Sequence, residues 1–482
     1  MKNKIANAFS APFYRRLLIV AVIVHLAAAY FSHGYYKDDE HHQILEYVAF
    51  KEGVIPEKEA AWEYESRVRS GFQPFIAYSI SQVLSAIGVE SPFLSAAVLR
   101  LLSVALALAA ALLFFVAHRE DLKHENTRRW MLAAMLLLWV LVFYHARFSS
   151  EGWMASLMLL GLAFWRMRDG VGFLFAAGAC LGLAFACRYQ AGFMLLPLAV
   201  FALWREKPPT IVKMAAGAFC ALLLEFLINW WFYGEPSLPW LNYLQFHLDD
   251  LGNLDPWHMY LRKGGEFIPP FGYLLPFILA AFWFYFPRHA LTWATVLYVA
   301  FHFYNDNRQL RFMLPVLVFL PLMTAMVWEH AVSVRPVINR AFLWLLKISA
   351  VINAPLVLYA AFFPATAEVK LLRDCILPNA NERVFLLGDK EIESQMAMSY
   401  YVRNAVEFVV VADESELLAK ADNEPVLYVA RKSRAEQLRQ NGFVFETVCH
   451  AIPEWLLQYN INGWVDRASI YPVYWIKGDE NQ

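Results

Sequence analysis

Apolar runs of span length alternate with short polar turns through the first three quarters of the chain. Lys2, Lys4, Arg15 and Arg16 precede the first run, Leu17–Phe31. Ala27–Ala29 resembles a small-residue cleavage site, but more runs follow, so the segment reads as a retained span rather than a leader. Further runs lie near Pro92–Ala117, Trp130–Tyr144, Gly152–Trp165, Val171–Ala186, Ala191–Trp204, Ile211–Phe232, Phe271–Phe286, Ala290–Phe303, Phe312–Trp328 and Ala341–Phe363. A span needs about 20 apolar residues. Several runs are shorter, and the pattern predicts about eleven transmembrane helices.

After Phe363 the period changes. Short apolar segments (RVFLLGD, VEFVVVAD, PVLYVAR, FVFETVCH, SIYPVYWIKG) alternate with helix-like ones (the polar piece Ile392–Arg403, ESELLAKAD and SRAEQLRQNG). That alternation predicts a small α/β domain. The expected organisation is a helical membrane module over residues 1–363 and a soluble α/β domain over 364–482. An odd number of spans places that domain outside the cytoplasm. It contains no GxGxxG and no phosphate loop.

Charge orients the helices. With the N-terminus in the cytoplasm, the cytoplasmic turns are HREDLKHENTRR, RMRDG, REKPPTIVK, PRH and SVRPVINR, all basic. Opposite them lie HARFSSE, ACRYQ, YNDNRQLR and the long loops of about 32–91 and 233–270. The composition agrees with a membrane protein: 59% hydrophobic, 17% charged and positive mean hydropathy. A net charge of −1 argues against nucleic acid as a partner. The five cysteines show no CxxC spacing. Cys180, Cys187 and Cys220 lie in apolar runs and read as inert. Cys375 and Cys449 can pair if the C-terminal region is outside the cytoplasm.

The candidate chemistry concentrates on the outer side. Between the first two runs the chain reads SHGYYKDDEHHQILEYVAFKEG and then AAWEYESRVRSGFQP. If the stretch from Asp38 is helical, Asp39, Gln43 and Glu46 fall on one face. Trp62, Glu63, Tyr64, Arg67 and Arg69 follow, in a segment too polar to cross a bilayer. Arg147, Arg188, Arg262, Arg308 and Arg311 share that side, as a cationic rim suited to an anionic lipid-linked substrate. For any one arginine the competing reading is a structural ion pair, or snorkelling to lipid phosphate. The loop 233–270 carries an amphipathic piece with Trp240, Tyr243, Leu244 and Phe246, and places His258 beside Trp257 and Asp255. Asp38, Asp39 and Glu40 have the oxygens for a divalent cation. His41 and His42 diverge on a helix and make a poor chelate.

These motifs resemble glycosyltransferase family 22, the polyprenyl-phosphate-mannose-dependent α-mannosyltransferases, and among them the GPI type. Asp39-Glu40-His41-His42-Gln43-Ile44-Leu45-Glu46 resembles D-E-x-x-Q-x-x-E. Trp62-Glu63-Tyr64, Arg69-Ser70 and Pro74 resemble W-E-[WY] … R-S-x-x-x-P. Arg147 opens an outer loop as in the family, and GLAFACRYQ places Arg188 in the family's G-L-A-x-x-x-R. Tyr233-Gly234, Asn242, Pro256-Trp257-His258 and Tyr260 resemble the family's long loop. Before the late span, Arg311-Phe312 and Pro315 match, whereas the family's His-Lys-Glu is replaced by residues 304–310. The insertion between Gly53 and Ala60 and the α/β tail point to a bacterial relative.

The resemblance implies a GT-C fold and inverting transfer of mannose from a polyprenyl-phosphate donor to a lipid-linked glycan or glycolipid. The reaction is expected on the outer face, in a bacterial inner membrane rather than the endoplasmic reticulum. The chemistry needs a base for the incoming hydroxyl and a cation for the phosphate. Asp39 is the expected base, with Asp38 as the alternative. Glu40 is expected to hold acceptor hydroxyls or orient Asp39. Arg311, His258 and Arg308 are expected on the donor phosphate. Gln43, Glu46, Trp62, Glu63 and Arg69 are expected to shape the sugar site, with Arg147, Arg188 and Trp257 as further substrate contacts. The lipid-phosphate sugar is a co-substrate, and the family is not expected to use a metal or other cofactor. Two other readings remain open. One is transfer of aminoarabinose or glucose to lipid A or protein. The other is a lipid-linked sugar transporter, against which stand the lack of a repeat and the clustering of charge at span ends.

Overall fold

The computed structural model describes residues 9–168, 170–249, 256, 258–305, 308–335, 338–380, 383–387, 396, 398–403, 405–421, 426–440, 445–452, 454–460 and 473–476. The chain divides into two compact units. One comprises Met1–Ala29, Trp62–Ile76 and Val98–Phe362; the other comprises Tyr30–Ala61, Ala77–Ala97 and Phe363–Gln482.

The first unit is helical. Among the described residues, four helices, beginning at Pro12, Pro92, Pro208 and Asn339, are long and apolar enough to cross a membrane, and two bent pairs raise the number to six. Val171–Cys187, Phe271–Tyr285 and Ala290–Tyr304 are apolar but shorter. This makes the protein a multi-span membrane protein. Large apolar side chains face outward, among them Phe219, Phe277, Phe284 and Val351, as a lipid-facing surface requires. One buried cluster is built from small residues, Ala28, Ala29, Val104, Val142, Ala146 and Ala361. Helices Val171–Cys187 and Pro208–Tyr233 touch at glycines. A Cβ on Gly178 would stand 1.8 Å from the Met214 carbonyl oxygen, and one on Gly217 would stand 1.9 Å from that of Phe175. Van der Waals packing of close backbones is the main attraction left to helices in lipid.

Both bent pairs interrupt expected single spans. Glu125–Leu137 and Trp139–His145 meet at 49°. Leu138 is extended there, and Asn353 replaces the lost helix partners. Its Oδ1 accepts from Trp139 N at 2.8 Å and its Nδ2 donates to Leu137 O at 2.8 Å. Leu310–Leu317 and Leu320–Val334 meet at 60°, with Pro315 and Pro321 each at the start of a helix.

The second unit carries a five-stranded mixed sheet in the order β2-β1-β3-β5-β4. Its strands are β1 (Arg383–Leu387), β2 (Glu407–Val411), β3 (Val426–Val429), β4 (Phe445–Cys449) and β5 (Val473–Ile476). β1 pairs in parallel with β2 and β3, while β5 runs antiparallel to β3 and β4. Helices Glu414–Ala421 and Lys432–Gln440 follow β2 and β3, and their Leu417, Ala435 and Leu438 pack with Phe385, Leu387, Val411 and Tyr428. Cys375 and Cys449 are disulfide-bonded, Cα to Cα 5.9 Å.

This unit also takes in the stretch after the first span. Ala365 N donates to His33 O at 2.7 Å, and Thr366 Oγ1 bonds both Tyr35 N (2.9 Å) and Tyr35 O (2.6 Å). Gly34 makes that approach possible: its φ is +88°, and a Cβ would lie 2.5 Å from that of Thr366.

Candidate active site

In the helical unit, the Trp-Glu-Tyr segment forms a short helix, Trp62–Glu65, and leads into Arg69-Ser70-Gly71. Glu63 is buried and accepts from Arg69 NH2 at 2.8 Å and Nε at 3.2 Å. The end of helix Pro208–Tyr233 holds this segment. Tyr64 OH donates to Phe232 O (3.1 Å), Tyr233 OH to Arg69 O (2.6 Å), and Gly71 N to Asn229 Oδ1 (2.8 Å). Asn229 is fixed in turn by Glu225, which also accepts from Tyr189 OH, at 2.7 and 2.9 Å. Tyr243, on helix Pro239–Asp249, stands 5.7 Å under the Arg69 guanidinium and bonds Gln190. Burial pushes the Tyr243 phenol up, although Arg69 and Arg188 pull it down. Trp62 is half exposed and packs on Phe246.

Four of the five expected rim arginines are not a rim. Arg147, Arg188, Arg308 and Arg311 are all buried, and only Arg262 is exposed. Two of them converge on Glu151, in the first turn of helix Ser150–Met167. Glu151 Oε1 lies 2.9 Å from Arg188 NH1 and 3.5 Å from Arg311 Nε. Arg188 also donates to Ser150 Oγ (3.0 Å), and both guanidiniums lie over Phe312, at 4.8 and 5.3 Å. A desolvated cation has to be paired, and Glu151 supplies that pairing for these two. Arg311 Nε donates to Gln309 Oε1 (2.7 Å), Arg308 holds Phe303 O (3.0 and 3.3 Å), and Arg147 stacks on Phe143.

Leu310, which lies between Arg308 and Arg311 in sequence, is one wall of an apolar cavity of about 390 Å³. Leu310, Met313, Leu317, Tyr260, Phe267 and Trp283 are among its walls. His258 is exposed and precedes helix Met259–Phe267. Trp257 and Asp255 lie outside the described residues.

The acidic stretch belongs to the second unit. It is helical, but not one regular α-helix. A turn of α-helix over Asp38–Glu40 passes into a π-helix over His41–Leu45 and back to α-helix over Glu46–Lys51. The wider turn corrects the single face expected for Asp39, Gln43 and Glu46. Glu46 instead reaches back one π-turn to His41, Oε1 to Nε2 at 2.6 Å, and accepts from Tyr400 N at 3.1 Å. His41 is fully buried and stacked between Tyr35 and Tyr401. Burial pulls the Glu46 carboxyl up, but His41, the Tyr400 amide and His42 outweigh it, and the net direction is down. Burial, then the His41 charge, pushes His42 down. Glu40 is buried and accepts from Tyr36 N at 3.3 Å. Asp38 is exposed, while Asp39 and Gln43 are half-buried. Asp38 and Asp39 are thus the carboxylates of this stretch most open to an incoming hydroxyl. π-turns inside α-helices occur often at functional sites.

Sequence reasoning missed Glu151, Glu225 and Asn229, and took Tyr243 only as part of an amphipathic piece. Glu225 carried a usable signal, since an ionisable residue inside an apolar run needs a partner. Glu151 closes the HARFSSE turn just after the N-cap Ser149, and nothing local announces its arginines.

The broken and unbroken spans of one unit and the small mixed sheet of the other define the class of multi-span helical membrane proteins that carry an additional α/β element. The family model of the Alg9-like mannosyltransferases matches residues 16–376, and the chain belongs to that family of glycosyltransferases. It is 24% identical over 260 residues to GPI mannosyltransferase 3 of Kluyveromyces lactis, a match covering 48% of this chain and 42% of the relative's length. Its fold is similar to that of ArnT from Cupriavidus metallidurans. The apo crystal structure matches with a TM-score of 0.57 at 12% identity, and the undecaprenyl-phosphate-bound one with 0.53 at 13%; each match covers 96% of this chain and 98% of that one. The family and GT-C fold expected from the motifs are therefore both found.

Proposed function

We propose that this enzyme is an inverting α-mannosyltransferase that takes mannose from a polyprenyl-phosphate donor and delivers it to a lipid-linked glycan or glycolipid. The observation that carries the reading is the apolar cavity walled by Leu310, Met313, Leu314 and Leu317, residues of the segment that also holds Arg311 and follows Arg308. An isoprenoid chain needs apolar walls, and its phosphate needs a cation near their mouth. Asp39 takes the proton of the acceptor hydroxyl as its oxygen bonds to the anomeric carbon. The carbon–oxygen bond to phosphate breaks, and the electron pair leaves with the phosphate. Arg311, with Arg308 and His258, stabilises the charge that develops there. Glu40 holds acceptor hydroxyls or orients Asp39. Glu63 and Arg69 order the sugar site together with Trp62 and Gln43, and Glu46 supports it through His41. Arg147, Arg188 and Trp257 complete the substrate contacts. No metal is assigned a role.

The reading includes about eleven crossings, counting with the six spans and three shorter apolar helices also Ser150–Met167 and Gly192–Arg205. It places the reaction and the sheet-bearing unit on the outer face of a bacterial inner membrane, where the Cys375–Cys449 bond is compatible with an oxidising compartment. Undecaprenyl phosphate in the similarly folded ArnT structure favours a polyprenyl donor and motivates a second reading, transfer of aminoarabinose.

The test compares wild type with Asp39→Asn in membranes at matched protein level, following consumption of polyprenyl-phosphate-mannose with candidate acceptors. Loss of the base should cost about 10²–10⁴-fold in rate. Full activity in the variant moves the base to Asp38 or Glu40. If wild type turns over only polyprenyl-phosphate-aminoarabinose, the second reading replaces the first.

A further inference from the structure

The helical unit holds a second cluster of titratable side chains, in turns separate from those of the proposed active site. His118 ends helix Pro92–His118, Asp121 closes the short turn Arg119–Asp121, and His289 precedes helix Ala290–Tyr304. One potential ligand atom from each residue lies within 4.8 Å of the other two. The turns involved, HRED and PRH, belong to the basic set assigned above to the cytoplasmic side.

The hydrogen bonds assign the roles. His118 Nδ1 bonds Asp121 Oδ2 at 2.9 Å, while Asp121 Oδ1 accepts from Arg166 NH2 at 2.9 Å. With both oxygens engaged, Asp121 fixes the His118 ring with its proton on Nδ1. That leaves a lone pair on His118 Nε2. This atom is buried and has no hydrogen-bond partner among the described residues. A carboxylate–histidine pair presenting Nε2 in this way is the usual support of a metal-bound imidazole. The His289 ring is centred 6.0 Å from that of His118. Its Nδ1 accepts a long 3.2 Å bond from Leu291 N, which a metal–imidazole bond would replace.

We propose that His118 and His289 bind a divalent first-row transition-metal ion, with Asp121 orienting His118 and water completing the coordination. Two imidazoles with an orienting carboxylate suit zinc, cobalt or nickel rather than magnesium or calcium. The ion would tie the end of helix Pro92–His118 to the start of helix Ala290–Tyr304.

The test uses the full-length chain in detergent, with any affinity tag removed, and zinc sulfate in equilibrium dialysis. The reference is the double variant His118→Gln/His289→Asn, which subtracts binding by the remaining histidines. His289→Asn is the informative single variant, because asparagine keeps the side-chain cap of the helix and removes the imidazole. Wild type should bind about one more zinc ion per chain than the reference. His289→Asn should abolish that difference while the protein stays folded by circular dichroism. Asp121→Asn should weaken binding about 10–100-fold. In cobalt-loaded protein, the visible absorption of the bound ion should disappear with His289→Asn. Zinc uptake by wild type equal to the reference overturns the proposal. So does undiminished binding in a folded His289→Asn variant.

Discussion

Replacing Glu151 with glutamine tests whether the buried arginines form one charge-balanced unit. Glutamine keeps the volume and removes the charge, leaving Arg188 and Arg311 in place. Their side chains are 6% and 5% exposed, and that of Glu151 2%, so water cannot take over the lost partner. At an effective dielectric of about 20, contacts of this length are each worth on the order of 5 kcal/mol before other effects. Desolvation of three ions and repulsion between the two arginines offset much of that. Removing one partner of a buried pair costs about 3–5 kcal/mol in practice, a large share of the roughly 5–15 kcal/mol that holds a domain together.

The assay is thermal unfolding of the detergent-solubilised enzyme, followed by intrinsic fluorescence. Glu151→Gln should show a clearly lowered midpoint. Glu151→Gln/Arg188→Gln should recover part of the loss, since one uncompensated cation is gone, with a coupling of about 0.5–3 kcal/mol. Added polyprenyl phosphate should stabilise Glu151→Gln more than wild type, because the phosphate supplies the missing anion. A single variant within about 0.5 kcal/mol of wild type refutes the shared-ion account. Simple addition of the two losses refutes it as well.

Three further outcomes follow from the packing and the charges. Gly217→Val should destabilise the helical unit by about 1–3 kcal/mol or more, because its side chain would meet the backbone of Phe175 and Ala179; a wild-type melting profile would contradict that contact. Glu46 titrates below its ordinary 4.5, so its pairing with His41 adds stability that is present above that value and is lost as pH falls through the lower folded value. Glu46→Gln should therefore flatten the acid limb of a midpoint-against-pH curve, and an unchanged limb would exclude the pairing. Replacing Cys375 and Cys449 with serine opens a crosslink 74 residues apart in sequence. The loop-entropy relation gives a loss of about 4 kcal/mol in the sheet-bearing unit, readable by limited proteolysis, with equal protection of the two proteins as the contrary result.

What the chain disclosed in advance was whatever depends on local period. The run Ile211–Phe232 lies within helix Pro208–Tyr233, and all five apolar segments after Phe363 contain strands. Repeating polarity is a property of neighbours, and a window sees it. The breaks within the runs Trp130–Tyr144 and Phe312–Trp328 were not visible. Hydropathy averages over a bend, and the group that makes the first bend tolerable, Asn353, lies more than 200 residues away in sequence. The site divides in the same way. Spacing marked Asp39, Glu63, Arg69 and Arg311 through the family's motifs. It misjudged the face of Glu46, because i, i+4, i+7 reasoning assumes an unbroken α-helix and His41–Leu45 is a π-turn. It gave no sign of Glu151, whose importance lies wholly in long-range partners.

The broken span also supplies one wall of the apolar cavity. In lipid, a backbone amide or carbonyl without a helix partner costs several kcal/mol, so irregular backbone is confined to places buried in protein or lining a cavity. Helix Pro208–Tyr233 is continuous and offers side chains only. The turn Leu310–Met313 and the short helix Leu314–Leu317 are separated from Leu320–Val334 by a 60° bend, and Leu310, Met313, Leu314, Val316, Leu317 and Leu320 all line the apolar cavity. Most of those positions keep the i, i+3, i+4, i+7 spacing of one helix face, so the segment before the bend presents a single apolar wall, with Arg308 before it and Arg311 within it in sequence. The proposed lipid-phosphate site would need apolar wall and cation along one element, and the segment from Arg308 to Leu320 carries both.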